Sequence, residues 1–554
     1  MQSNRFFIAI IFLACFVASL VMHPAYTTPR KPRLVVVFVV DQLAYHYIPK
    51  LRPYFRYGLK ELFDQGVVYT NAFQAHAIPE TTPGHCALST GTLPKDHGAI
   101  LNQWFDRSYH KVDFDAEVIK PIVSNGAASS DHTTIEPKTM VDGISDQFVM
   151  ASKAHEHNYA FAMALKSHPA IAVANQLGKA LWFDVKLGKF VSSSVFFEKL
   201  PGWVNEFNHY HQTERLTETT WRLAYGYDNE AYNFNDIRNY DYAGYPFSMV
   251  TQKKIPINHQ EESPYDLFTK TPEASNLLIQ LAKACIQNTF QEPTDRLLLW
   301  VSLSNLDLVC HYYGPHAIEP IDTVYHLDRQ IHDLMGFARR RLGERNCLFV
   351  LTADHGIAPI PEIVNKQGLV MAKRIMAEPL IDAMNALIEK NYNLKHVVKT
   401  FEPTFFVLNH EILATVTQEI QQKIVMDLKN FLLHQTGIKH VWAADELQNA
   451  IFEPDQLENF YKNQMYHNRL GDIICMPHPY CLLTHYPTGT SHLSPYDYDT
   501  HIPLVLYQKK RFAKKTVNDK VWAGQLPVTL ARILDINQPS ASTYPLLPSL
   551  DTAL

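Results

Sequence analysis

The 554-residue sequence contains no long block of lysine or arginine, and its formal net charge is only −5. A protein that binds the phosphate backbone of DNA or RNA needs a concentrated basic surface, so no nucleic-acid polymer is expected as a partner. No CxxC pair occurs, which argues against a structural zinc knuckle. With 21 glycines and 46% apolar residues, the chain is neither fibrous nor disordered. Histidine is abundant, at 27 residues, and raises the question of a metal site.

The N-terminus predicts an export signal over residues 1–27. An apolar stretch at 6–21 is short for a membrane-spanning helix, and cleavage is expected near Ala25. Two alternatives stay open, a lipoprotein signal ending at Cys15 and an uncleaved anchor. No later segment reaches the length of a membrane span. The mature chain, 28–554, is therefore expected to be periplasmic or secreted.

Export also bears on the cysteines, because an oxidising compartment permits disulfides. Six cysteines follow the signal, and only Cys475 and Cys481 are near neighbours in sequence. These two are the candidate disulfide pair. The alternative is that both are small buried side chains.

Four short apolar segments predict buried strands of a parallel sheet: 34–40, 297–304, 347–352 and 503–507. Amphipathic helices lie between them, the clearest at 321–338, where apolar residues recur on one face. Alternating strands and helices indicate an α/β fold with a doubly wound, mostly parallel sheet and helices on both faces.

Acidic residues follow three of these strands. Asp41, Asp307 and Asp354 stand at the positions where function collects in such sheets, the carboxyl ends of the strands. His311 lies four residues after Asp307, and His355 directly follows Asp354. Each aspartate alone could be a helix N-cap. Together, carboxylate oxygens and imidazole nitrogens form a ligand set that suits zinc, with manganese or iron as other occupants.

A candidate nucleophile stands in the segment PETTPGHCALSTG, residues 79–91. The pair Thr81 and Thr82 precedes a proline and an apolar stretch, as at a helix N-terminus. One interpretation is a simple N-cap. The other is a hydroxyl whose pKa is lowered by the helix dipole and by a bound metal, so that it can act as a nucleophile.

The order of these motifs resembles the alkaline phosphatase superfamily, specifically its type I phosphodiesterase/nucleotide pyrophosphatase branch. Within that branch it looks most like the exported, threonine-nucleophile alkaline phosphatases of the PafA type. The resemblance covers about residues 33–547. The matching motifs, in chain order, are Asp41, Thr81-x-Pro-Gly-His85, Asp307-x-x-x-His311, Asp354-His355-Gly356 and Asp499-Thr500-His501.

The resemblance implies two bound Zn²⁺ ions, with Thr81 forming a phosphothreonine intermediate. The implied ligands of one ion are Asp307, His311 and His501, and those of the other are Asp41, Asp354, His355 and Thr81. Asn102 and Lys166 match the family's phosphate-binding asparagine and lysine. His492 lies within a matched motif, where a supporting position is expected rather than a ligand.

Lys166 favours phosphate monoesters as substrates, because a monoester carries one more negative charge than a diester. His168 departs from the family, which has arginine there, and the preference for monoesters is therefore expected to be weaker. The expected function is zinc-dependent hydrolysis of small-molecule phosphate monoesters. The alternatives are a phosphodiesterase or nucleotide pyrophosphatase on the same metals, and a catalytically silent phosphate- or nucleotide-binding protein.

The length of the chain is explained by one catalytic domain, 28–554, with two insertions. The first, at about 183–270, is rich in tyrosine, phenylalanine and asparagine and is expected to form a cap or substrate lobe. The second, at about 361–479, is expected to be a small α/β lobe with a helix near 415–433. A closing helix is expected at 526–534.

Overall fold

The structure is a computed structural model that describes the following residues: 31–105, 111–115, 121–122, 139–211, 220–226, 229–233, 253–254, 264–368, 371–467 and 469–550. The predicted export signal, 1–27, with Ala25 and Cys15, lies outside these residues. Much of the first predicted insertion does as well. No helix in the described ranges combines the length and the apolar character needed to cross a bilayer.

The strands of the described residues, in chain order, are β1 Leu34–Val39, β2 Val67–Phe73, β3 Gln103–Phe105, β4 Lys111–Asp113, β5 Pro121–Ile122, β6 Asn158–Ala164, β7 Lys179–Asp184, β8 Lys189–Ser193, β9 Thr220–Trp221, β10 Lys253–Lys254, β11 Arg296–Ser302, β12 Cys347–Thr352, β13 Arg374–Met376, β14 Val398–Glu402, β15 Phe405–Leu408, β16 Ile438–Ala443, β17 Ile473–Pro477, β18 Leu482–Thr484, β19 His501–Tyr507 and β20 Lys515–Trp522.

The α-helices are α1 Tyr47–Leu51, α2 Gly58–Gln65, α3 Thr81–Thr90, α4 Pro94–His97, α5 Ile144–Met150, α6 Ser167–Ala174, α7 Gly202–Tyr210, α8 Pro264–Thr269, α9 Pro272–Thr289, α10 Asn305–Tyr313, α11 Ile318–Leu342, α12 Pro361–Lys366, α13 Ala377–Tyr392, α14 His410–Leu413, α15 Gln418–Leu433, α16 Ala444–Asn449, α17 Leu457–Gln464, α18 Asp497–Thr500 and α19 Gln525–Leu534.

One large sheet runs through the described residues in the order β20-β2-β19-β12-β1-β11-β6-β7-β8-β5. Its central strands β12, β1, β11, β6 and β7 are parallel to their neighbours within that run. Every residue of β1, β11 and β12 is buried, as expected for strands covered on both faces. The predicted α/β fold with a mostly parallel sheet is confirmed.

The fourth predicted strand, β19, differs in direction. It pairs antiparallel with both β12 and β2, so the prediction of a parallel strand is wrong there. A single apolar run carries no information about strand direction, which depends on how the chain returns to the sheet. As a result, β19 begins at the sheet edge where β1, β11 and β12 end.

Helix α11 confirms the helix predicted at 321–338 and extends it at both ends. Its apolar stripe, which includes Ile321, Val324 and Leu334, is buried in the main core. Burying side chains of this size is worth roughly 1.5–3 kcal/mol each. The closing helix expected at 526–534 is α19.

A second apolar core lies between the four-stranded sheet β14-β15-β17-β16 and helices α13 and α15. Helix α15 confirms the helix expected near 415–433. The boundaries of the two insertions, about 183–270 and about 361–479, stay predictions. Cys475 and Cys481 are separate buried thiols in the structure, which favours the alternative of small buried side chains over a disulfide.

Candidate active site

Three aspartates lie at the carboxyl edge of the central strands. Asp41 follows β1, Asp354 follows β12, and Asp307 lies in the first turn of α10, after β11. Because β11, β1 and β12 are neighbouring parallel strands, their ends meet at one edge. All three carboxylates are buried, with at most 1% exposure. The strand-end pattern therefore brings together the residues that it singled out.

The first cluster, here the Asp307 group, consists of Asp307, His311 and His492. The Nε2 atom of His311 lies 3.1 Å from Asp307 Oδ1, and the two histidine Nε2 atoms lie 3.3 Å apart. Each ring donates its Nδ1–H to a backbone carbonyl, of Thr490 at 3.2 Å and of Pro79 at 3.1 Å. A carbonyl only accepts hydrogen bonds, so in the neutral form of each ring the Nε2 atom carries a lone pair that faces into the group.

The second cluster, here the Asp41 group, consists of Asp41, Asp354 and His355. Asp354 Oδ1 accepts hydrogen bonds from the backbone N–H groups of Gln42 and His355, at 3.0 and 2.8 Å. His355 donates Nδ1–H to the carbonyl of Gly356 at 3.0 Å, which leaves its Nε2 with a lone pair. That Nε2 lies 3.3 Å from Asp354 Oδ2.

His85 lies against the Asp41 group, 3.3 Å from Asp354 Oδ2 and 3.6 Å from Asp41 Oδ1. Both of its ring nitrogens already have partners. Nδ1 donates to the Thr81 carbonyl at 2.8 Å, and Nε2 lies 2.8 Å from the Ser302 hydroxyl. His85 therefore packs against Asp41 and Asp354 with both ring nitrogens already hydrogen-bonded, and it has no free lone pair to offer the group.

The Asp41 group fits a divalent cation. Both oxygens of Asp41, Asp354 Oδ2 and His355 Nε2 are buried and find no hydrogen-bond donor among the described residues. Buried lone pairs without a donor are costly, and a bound cation would satisfy them. Burial and the charge of Asp354 also raise the pKa of Asp41 to about 7, because two facing carboxylates oppose each other's ionisation. A cation would remove that opposition.

Thr81 is the first residue of α3 and is 2% exposed. The N-cap position belongs to Glu80, so the simple N-cap interpretation of Thr81 does not hold. The first turn of α3 packs directly on the Asp41 group: a Cβ atom at Gly84 would lie 2.4 Å from the Asp354 carbonyl oxygen. Only glycine allows this approach, which holds the positive end of the α3 dipole beside the two carboxylates.

Asn102 is held beside the same helix end. Its side-chain oxygen accepts hydrogen bonds from the backbone N–H and the hydroxyl of Thr82, at 2.9 and 2.7 Å. Its backbone N–H donates to Glu80 Oε2 at 2.7 Å. Because Thr82 occupies the amide oxygen, the NH₂ end of Asn102 is the end available to bind an anion.

Lys166 and His168 approach from the start of α6. The Lys166 ammonium donates to Asp307 Oδ2, and although burial opposes its charge, Asp307 and Asp41 raise the pKa of Lys166. Burial and the neighbouring Lys166 charge lower the pKa of His168 to about 3. His168 is therefore neutral at neutral pH, so of the pair Lys166 and His168 only the lysine carries a charge.

A cavity of about 360 Å³ adjoins the Asp307 group at His311. Its other walls include Arg374, Tyr486 and Thr488. The volume falls in the range typical of small-molecule sites.

The sequence model of the family described as type I phosphodiesterase / nucleotide pyrophosphatase matches residues 35–504. The chain belongs to this family. The resemblance found in the sequence motifs is thereby confirmed.

Two proteins named as alkaline phosphatases align with nearly the whole chain. Alkaline phosphatase PhoV of Synechococcus elongatus is 26% identical over 541 residues, covering 93% of this chain and 92% of that protein. Alkaline phosphatase PafA of Elizabethkingia meningoseptica is 26% identical over 533 residues, covering 92% and 93%. The crystal structure of wild-type PafA superimposes with a TM-score of 0.81, at 23% identity, over 94% of this chain and 98% of that one. The fold is the same.

The family resemblance predicted His501 as a ligand beside Asp307 and His311, but the structure groups His492 with these two residues instead. His501 begins the antiparallel strand β19 and pairs across it with Phe73. Its ring stacks on Phe73 and Tyr45, with centroids 4.4 and 4.3 Å away, and its Nε2 lies 2.7 Å from the Thr70 carbonyl. The third corner of the group is His492, nine residues earlier, which was expected only to support the site.

Sequence reasoning gave His492 only a supporting position and missed Gln42. His492 and His501 share the segment SHLSPYDYDTHIP, and its sequence does not indicate which of the two rings lies beside Asp307 and His311. Gln42 directly follows Asp41, and its amide contacts Asp307 Oδ1 at 2.8 Å. A glutamine at a strand end carries no recognisable signal. The other predicted residues, Asn102, Lys166 and His168 among them, lie around the two groups, and their roles toward substrate stay predictions.

Proposed function

We propose that the protein hydrolyses small-molecule phosphate monoesters with two Zn²⁺ ions and through a phosphorylated Thr81. The observation that carries the proposal is the position of Thr81 at the start of α3, whose first turn packs on Asp354, beside the buried oxygen and nitrogen atoms of the Asp41 group that find no hydrogen-bond donor among the described residues. The names of the two aligned relatives, both alkaline phosphatases, support the same activity.

The carboxylate and imidazole donors of both groups suit zinc. Asp307, His311 and His492 would hold one ion. The other would be held by Asp41, Asp354 and His355 with the Thr81 hydroxyl. When bound, zinc supplies Lewis acidity, which lowers the pKa of a hydroxyl and neutralises charge on an ester oxygen.

Side chains of the protein carry out the remaining chemical steps. Thr81 forms a bond to phosphorus as the bond to the leaving alcohol breaks, and water then releases phosphate from Thr81. The NH₂ end of Asn102 and the ammonium of Lys166 bind the non-bridging oxygens. The cavity at His311 gives the leaving group room.

Removal of zinc is the decisive test. We expect a chelator to abolish hydrolysis of nitrophenyl phosphate and Zn²⁺ to restore it, while Mg²⁺ alone does not. Thr81→Ala should remain inactive with zinc restored, and His434→Ala, at an exposed position far along the chain from the site residues, serves as the control that keeps the nucleophile. Full turnover by Thr81→Ala would contradict the mechanism, and turnover unaffected by chelation would contradict the metal requirement.

Hydrolysis of diesters is the second candidate activity, favoured by the neutral His168. A monoester site gains from every cation near the non-bridging oxygens, and only Lys166 is charged here. We expect His168→Arg to raise the ratio of monoester to diester hydrolysis by about tenfold, since a hydrogen bond to a charged group is worth about 1.5–3 kcal/mol. Rates on nitrophenyl phosphate and its bis-ester measure the ratio. An unchanged ratio would remove His168 from the explanation of specificity.

The proposed enzyme acts outside the cytosol, exported by residues 1–27. The apolar stretch at 6–21 is the support for this. Cell fractionation of the full chain tests it. Export should fail when a charged residue is placed in the centre of that stretch, and membrane retention that depends on Cys15 would instead indicate a lipoprotein.

A further inference from the structure

Gln42 contacts a carboxylate of each ligand group. Its backbone N–H donates to Asp354 Oδ1 at 3.0 Å, and its side-chain Nε2 donates to Asp307 Oδ1 at 2.8 Å. The residue is fully buried. One residue therefore links the Asp41 group to the Asp307 group, through two chemically separate donors.

The backbone of Gln42 has a φ of +68°, in the left-handed region that favours glycine. Glycine would supply the same backbone donor to Asp354 without strain. The glutamine at this position therefore has a use that depends on its side chain, and the contact with Asp307 is that use.

The Gln42 side chain completes the support of Asp307. Lys166 donates to Oδ2 of this carboxylate and Gln42 donates to Oδ1, so both oxygens are held. The same Nε2 lies 3.4 Å from His311 Nε2, the atom whose lone pair faces into the group. The amide is thus packed against two of the three members of the Asp307 group.

We propose that Gln42 is a positioning residue for the metal site formed by Asp307, His311 and His492. Its side-chain amide fixes the rotation of the Asp307 carboxylate, and so determines which lone pair faces the ion. The Asp41 group, by contrast, receives from Gln42 only the backbone N–H, which donates to Asp354. This inference rests on the proposed function, because it assumes that both groups bind zinc.

Zinc titration of the metal-free protein tests the proposal without relying on activity. Gln42→Gly should weaken zinc binding at the Asp307 group by about 10–100-fold, the usual effect of losing a hydrogen-bond partner of a ligand. Binding at the Asp41 group should stay within about twofold, since the backbone donor remains. His492→Ala and His355→Ala each disable one group and so assign the two binding steps.

A purely structural role would have a different signature. Gln42→Gly relieves backbone strain but also removes a buried side chain and its hydrogen bond to Asp307, so the opposing effects should leave the melting temperature of the metal-free variant within a few degrees of the wild type. Asp535→Gly is the control, because Asp535 also has a positive φ, +54°, and lies at the end of α19. It should leave both zinc affinities unchanged. Gln42→Asn tolerates the backbone but is one methylene shorter, and it should show the same selective loss.

Three results would overturn the proposal. The first is that Gln42→Gly and Gln42→Asn bind zinc as the wild type does, the second is that they lose both sites equally, and the third is that they lose zinc only in proportion to a lowered melting temperature. A wild type that binds no zinc at either group would overturn the proposed function as well. A wild type with two zinc ions and variants with unchanged affinities would overturn the role of Gln42 alone.

Discussion

The two ligand groups reach the same edge of the sheet by different routes. The Asp41 group takes all its members from the ends of two adjacent strands, β1 and β12. The Asp307 group takes two members from α10 and the third, His492, from a loop 181 residues beyond His311. The side chain of His311 is 37% exposed, whereas that of His355 is fully buried.

The difference separates a group fixed by the sheet from one completed by a loop. Hydrogen bonds between β1 and β12 set the distance between Asp41 and Asp354 before any side chain is considered. The Asp307 group instead needs the loop carrying His492, together with contacts from Lys166 and Gln42. We therefore expect the Asp41 group to be the tighter zinc site, and the Asp307 group to be the more easily disturbed.

The largest effect on activity is expected at the Asp41 group. His355→Ala removes a ligand from the zinc ion that we propose activates Thr81, and a loss of several kcal/mol of stabilisation corresponds to at least about a thousandfold in kcat/KM. The loss should be equal for nitrophenyl and alkyl phosphates. His434→Ala, at an exposed position directly after α15, is the control. A variant that keeps a tenth of the activity would contradict the assignment.

At the Asp307 group, the loss should depend on the leaving group. His492→Ala should slow an alkyl phosphate by about a hundredfold and nitrophenyl phosphate by only about tenfold, since a poor leaving group needs more neutralisation of its charge. Steady-state rates on the two esters measure the difference. Equal losses on both esters would mean that this group does not face the leaving oxygen.

Acid should weaken zinc binding at both groups. The pKa of Asp41 is raised to about 7 by burial and by Asp354, and the pKa of His311 is raised by Asp307, although burial opposes this shift. Below these pKa values each group must release a proton to bind zinc, so affinity should fall by about tenfold per pH unit. Zinc titrations of His492→Ala at pH 5.5, 6.5 and 7.5 isolate the Asp41 group. Affinity that is constant with pH would contradict the raised pKa.

The smallest effect is expected for His501→Ala. It removes ring stacking worth about 0.5–1.5 kcal/mol, so the melting temperature should fall slightly, while kcat/KM stays within about threefold and zinc content stays at two. Mass spectrometry or metal analysis of the purified variant decides the matter. A variant with a single zinc ion would restore His501 as a ligand and remove His492.

The members of the Asp41 group could largely be predicted from the sequence. Apolar runs mark β1 and β12, parallel strands end at one edge, and Asp41, Asp354 and His355 follow directly. Of the Asp307 group, only Asp307 and His311 could be predicted to lie together, because residues four apart share one face of a helix. Its third member could not, because no local pattern links position 311 to position 492.

The sequence by itself determined the fold class, the family and the strand-end carboxylates. Apolar periodicity and motif order are properties of the linear sequence and can be recognised without the tertiary structure. Only the tertiary structure showed that His492, and not His501, joins Asp307 and His311 in one cluster. An apolar run does not state the direction of its strand, and the antiparallel pairing of β19 with β2 turns His501 onto Phe73 and away from the ligands. The bridge made by Gln42 was likewise decided by the fold, since it joins residues that are 265 positions apart.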